Sequence, residues 1–79
     1  PRALPTAQRR ARFCIDTARA WQAFGKPDRT LQSLLAAESF AAEEVCRPSV
    51  QAIAISLLRA PGPRPATLRA FATRCGATA

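Results

Sequence analysis

The residues of this chain that could do chemistry are three cysteines, five carboxylates and a dense set of arginines. Cys14, Cys46 and Cys75 lie far apart, no C-x-x-C pair occurs and histidine is absent, so the four-ligand set of a structural zinc is missing. A cysteine nucleophile needs a base beside it, and the residues around Cys14 supply none. The same three side chains serve well as small buried hydrophobes in a reducing compartment. One disulfide is also compatible with the count, and the sequence does not pair it. Asp16, Glu38, Glu43 and Glu44 could form an acid–base pair, but carboxylates on a helical surface are ordinarily solvated. No Gly-rich phosphate loop is present. The sequence therefore points away from an enzyme, and neither a metal nor a cofactor is expected.

The formal net charge is +7, carried by eleven arginines and one lysine. Such a chain invites an acidic or nucleic-acid partner, although abundant alanine with little lysine also follows from GC-rich codon usage. Arg12, Ile15, Arg19 and Gln22 recur at steps of three, four and three, which keeps them on one side of a helix. Two guanidinium forks beside an apolar isoleucine suit a carboxylate or phosphate. These four residues are the candidate groove for an acidic peptide or small effector. The competing reading is an intrahelical network, Arg12 to Asp16 and Asp16 to Arg19, with each pair contributing only about 0.2–0.5 kcal/mol. Arg9, Arg10 and Arg12 could touch a phosphate backbone; with no aromatic interleaved among them, they read better as a solvated helix start. A small basic protein bound to nucleic-acid backbone is the alternative function.

The elements that must position these residues are all helical. A chain of 79 residues holds one domain at most, and this one reads as a single module over 1–79. It opens on Pro1 and contains no methionine, as a segment of a larger protein would. Thr6 is placed as the cap of a first helix over 6–24, with Cys14, Ala18 and Trp21 on its apolar face and Phe13, Ala20 and Phe24 broadening it. Gly25 falls where a helix end needs a left-handed residue. Asp28 is placed as the cap of a second helix over 28–45, carrying Leu31, Leu34, Leu35 and Ala37. The short link forces these two helices into an antiparallel hairpin. Pro48 suits the first turn of a third helix over 48–60, where Val50, Ile53, Ala54, Leu57 and Leu58 form the clearest amphipathic pattern in the chain. The Pro61–Pro65 stretch makes a stiff connector. A fourth helix over 65–75, with Leu68, Phe71, Ala72 and Cys75 inward, stops at Gly76. No window reaches the roughly 18 apolar residues of a membrane span, so the module is expected in the cytoplasm and off the membrane.

The first hairpin resembles a tetratricopeptide repeat. The places where that repeat takes a small residue, a late aromatic and a turn glycine fall on Ala18, Trp21 and Gly25; its second helix takes Thr30, Leu34 and Ala37. Ala42 stands where the closing proline would be, and Thr30 is larger than the usual alanine. A wider resemblance runs from about Phe13 to Gly76. The strings A-R-A-W…G-K-P-D, L-L-A-A-E and E-E-V-C-R-P look like the C-terminal helices of actinobacterial XRE-type helix-turn-helix transcriptional regulators. The resemblance implies a right-handed stack of two hairpins, with DNA read only by a separate domain. It also implies a role in protein interaction, oligomerisation or effector sensing, against the parent chain or a second copy in a homodimer. Trp21 would then fill the seam between hairpins, within a core also holding Cys14, Ala18, Gly25, Leu31, Leu34, Ala37, Ile53, Leu57 and Phe71.

Overall fold

The computed structural model describes residues 6–62 and 65–77. Its elements are α1 (Thr6–Ala23), α2 (Pro27–Phe40), a 3-10 helix (Ala42–Cys46), α3 (Pro48–Arg59) and α4 (Ala66–Cys75). The fold is all-α, with no strand among the described residues. No helix there is long and apolar enough to cross a membrane.

Both glycine stops close in the same way. Gly25 takes a φ of 75°, its N–H donates to the Gln22 carbonyl at 3.1 Å, and the Lys26 N–H reaches back to the Trp21 carbonyl at 3.0 Å. Gly76 takes a φ of 81° and repeats the arrangement, with the Ala77 N–H on the Ala72 carbonyl at 2.8 Å. These paired bonds satisfy carbonyls that a helix end otherwise leaves open. A Cβ at Gly25 would meet nothing within 4 Å. Gly25 is therefore exposed at the turn and lies outside the core in which it was placed; its backbone angle, and not lack of space, demands glycine.

The helix starts follow proline more than capping side chains. Pro48 opens α3 directly after an extended Arg47, as expected. Pro27 likewise opens α2, so Lys26 takes the cap position and Asp28 sits one residue inside the first turn. Proline's fixed φ is pre-organised for that first position, and it displaces Asp28 from the cap while leaving its carboxylate near the positive helix end. Thr6 lies within α1 and is not its cap.

α1 and α2 pack side by side and antiparallel: Arg10 at the start of α1 lies over Phe40 at the end of α2, and Arg29 at the start of α2 lies over Trp21 near the end of α1. Ala18, Leu34 and Ala37 are fully buried, the two alanines as small residues at a close helix contact should be. α3 and α4 form the second pair, in which Gln51 Nε2 donates to the Cys75 carbonyl at 2.8 Å. Val50, Ile53, Ala54 and Leu57 are buried at their expected spacing, opposite Leu68, Phe71, Ala72 and Cys75. Leu31, also expected in the core, is buried.

Two further expectations fail. The second helix ends at Phe40, not 45; Ala41 is extended and a 3-10 turn follows. Nothing in Ala41 breaks a helix by itself. The turn swings Val45 and Glu44 inward, and the segment packs against α1, α2, α3 and α4, joining the two helix pairs. The buried face of α1 is also rotated. Ala11, Ile15 and Ala18 are buried, whereas Cys14 and Trp21 are only half-buried and Phe13, Ala20 and Phe24 are exposed. Close approach of α2 selects the slimmer stripe of α1, which leaves the bulky one outside.

Candidate interaction surfaces

The face of α1 expected to form a ligand groove exists in part. Arg12, Ile15 and Arg19 line a cleft of about 310 Å³ together with Asp16, Glu44, Arg47, Ser49 and Val50. Ile15 is buried and forms the cleft floor instead of an open contact. Gln22 is not there; it lies at the other end of the hairpin, with Pro27, Thr30, Leu57 and Pro61.

Glu44 controls this cleft. Its side chain is 3% exposed, and its Oε1 accepts hydrogen bonds from Arg12 Nε and Arg47 Nε, both at 3.1 Å. Arg47 Nη2 reaches Oε2 at 3.4 Å. The hydrogen bonds from Arg47 and then Arg12 hold the Glu44 carboxyl below its ordinary range. Arg12 therefore crosses to a residue 32 positions away and not to Asp16 at i+4. The expected Asp16–Arg19 pair is present at 3.9 Å with both side chains exposed. A second long-range pair, Arg74 to Glu38 with two bonds of 2.8 Å, ties α4 to α2 and lowers the Glu38 carboxyl. From the sequence Glu44 is weighed only as one carboxylate of an acid–base pair, and neither it nor Arg47 is placed at this cleft. Periodicity reports only neighbours within one helix, and the Arg12–Glu44 contact joins separate elements; Arg47 is a local partner three residues from Glu44.

The opposite face of the hairpin has another character. The chain holds five aromatic residues, and only Phe71 is in the core. Phe13, Phe24 and Phe40 are 72%, 75% and 39% exposed, and the half-buried Trp21 meets Phe24 with ring centroids 6.4 Å apart. Phe13, Thr17 and Ala20 of α1 and Phe24 just past its end, whose N–H still donates to the Ala20 carbonyl, follow i, i+4, i+7, i+11, a straight stripe along the helix. α1 thus carries two stripes, one packed on α2 and one facing outward. Two hollows meet at Phe13 and Cys14. One, of about 460 Å³, is bounded by Arg9, Arg10 and Phe40; the other, of about 290 Å³, by Thr17, Trp21, Arg29 and Ala36. Among the described residues no carboxylate lines either hollow. The Arg10 guanidinium lies 5.7 Å from the Phe40 ring centre and that of Arg29 lies 5.2 Å from the Trp21 ring centre. The interleaving of aromatics with Arg9 and Arg10 leaves no trace in the sequence, because Phe40 arrives from α2.

The cysteines are free and lie at three depths: Cys46 exposed, Cys14 half-buried and Cys75 buried. Desolvation raises the Cys75 thiol above its ordinary range. Among the described residues no three His, Cys, Asp or Glu side chains converge as metal ligands would.

Comparison with protein-family models, curated proteins and solved structures gives no match.

Proposed function

We propose that this chain is a non-enzymatic protein-interaction module that works through the outer face of α1 and α2 and not through the arginine cleft. One observation carries the reading: four of its five aromatic residues stand outside the core, on one continuous face. Burying a large apolar side chain contributes about 1.5–3 kcal/mol, and a chain this small has little such surface to spare. A contiguous apolar patch kept outward marks a contact surface. In the cleft, by contrast, Glu44 already occupies Arg12 and Arg47.

The resemblance to helix-turn-helix regulators supplies a setting for this activity, that of a C-terminal regulatory region whose DNA contacts lie in a separate domain. The nucleic-acid alternative gains its missing aromatics on this face. Two of those rings, however, already have guanidinium groups over them, where stacked bases would have to lie.

The reading is tested with the Phe13→Ser/Phe24→Ser double variant and a panel of amphipathic helical peptides whose polar rims are acidic, neutral or basic. At least one peptide should bind the wild-type chain, and the double variant should lose that binding while keeping its helical circular dichroism. If every peptide fails, or if the variant binds as well as the parent, the face is not an interaction surface. Loss of helicity in the variant would show that the rings serve the hairpin itself, and would overturn the reading equally.

A further inference from the structure

We infer that the partner of this face is an acidic amphipathic helix supplied by another polypeptide, lying along the outer stripe of α1 as a third helix beside α1 and α2. The inference rests on the interaction reading above and adds the chemistry of the occupant.

The shape of the stripe asks for a helix. Phe13, Thr17, Ala20 and Phe24 run parallel to the α1 axis, and from Phe13 to Phe24 they span roughly 16 Å, about three helical turns. Seam residues at this spacing are what one helix presents to another. The small side chains Thr17 and Ala20 lie between bulky Phe13 and Phe24, and the hollows beside Phe13 and Cys14 are open to apolar side chains from a facing helix.

The charge asks for an acidic rim. Arg9, Arg10 and Arg29 border the two hollows, all three are exposed, and among the described residues none has a carboxylate partner. Of the chain's own five acidic residues, Glu38 and Glu44 are engaged with arginines of other elements. A partner with leucine-like residues along one face and Asp or Glu beside them would bury the rings and give these guanidinium groups carboxylates to bind. A second copy of this chain fits badly, because it brings a net charge of +7 and the same arginine rim against its like. A nucleic acid would have to displace Arg10 and Arg29 from the ring faces before stacking. A lipid surface would ask for arginines reaching out above the rings to the headgroups, whereas these two guanidinium groups lie against them.

The test uses the full chain and the emission of Trp21, its sole tryptophan. The probe is an 18-residue synthetic peptide without tryptophan, with leucines at i, i+4, i+7 and i+11 and glutamates flanking them. Its twin carries lysines in place of the glutamates. We expect the glutamate peptide to shift the Trp21 emission and to bind at least tenfold more tightly than the twin, as calorimetry would confirm. Arg10→Glu/Arg29→Glu, at exposed positions, should weaken the glutamate peptide by roughly tenfold and move the preference to the lysine twin. Equal affinity for the twins would overturn the acidic partner while leaving an interaction face. A Trp21 response to oligothymidylate or to phosphatidylserine vesicles, with none to the glutamate peptide, would overturn it in favour of nucleic acid or membrane. Self-association through the face that excludes the peptide would overturn it in favour of a second copy. Failure of every peptide, rim charge regardless, would end the interaction reading as well.

Discussion

The two faces of α1 use the same residue type to opposite ends. On the cleft side, Arg12 and Arg47 converge on a carboxylate that the 3-10 turn has carried into the interior, and their charge is spent inside the molecule. On the outer side, Arg10 and Arg29 lie over aromatic rings and, among the described residues, have no carboxylate partner. A ring holds a guanidinium group in place without neutralising it, so the outer arginines keep a charge that a partner can use. The comparison teaches that an arginine count says little about binding until the partner of each arginine is known. Here the cluster that looked most like a ligand site is the one already satisfied.

The sharpest way to break this comparison is to exchange inside and outside aromatics. Phe71→Ala should cost about 3–5 kcal/mol, enough to abolish cooperative thermal unfolding in a domain of this size. Phe13→Ser should stay within about 0.5 kcal/mol in the same melt. A large loss at Phe13 would mean that the outer face is core after all. Next in size is overpacking of the contact between α1 and α2: Ala37→Leu should lose about 1–3 kcal/mol in a denaturant titration, since Ala37 is fully buried. Gly25→Ala should cost roughly 1–2 kcal/mol through its left-handed backbone alone, with no loss of packing.

The cleft can be sharpened by pH. The folded state holds the Glu44 carboxyl below its ordinary value of 4.5, so its contribution to stability is complete above that value and is lost as pH falls through the lower, folded one. Glu44→Gln should flatten the acid limb of the stability profile, and Arg19→Ala should leave it almost unchanged, because the Arg19–Asp16 pair is exposed. Glu38 is lowered by Arg74 in the same sense, so a residual slope should survive in Glu44→Gln and fall further when Glu38 is also changed. An unaltered limb in the double variant would show that neither carboxylate is coupled to folding.

What could be read from the sequence was local in origin. The spacing of Val50, Ile53, Ala54 and Leu57 has one helical solution, and Gly25, Pro48 and Gly76 act on their own backbone, so α3 and three of the helix boundaries were legible. α1 was ambiguous because it carries two apolar stripes; Trp21 and the phenylalanines drew attention to the outer one, while Ala11, Ile15 and Ala18 made the packing contact. The end of α2 at Phe40 and the pairing of Arg12 with Glu44 were illegible for a single reason. Both arise when the 3-10 segment meets α1 and α3, and residues 32 positions apart leave no periodic trace of each other.

The staggered depth of the three thiols turns the molecule into its own clock. An alkylating reagent should reach Cys46 in a fast phase, Cys14 more slowly, and Cys75 only when α4 lifts away, so three labelling rates would time three separate openings. Because Cys14 sits where the two outer hollows meet, a helix docked there should slow the middle rate and leave Cys46 untouched.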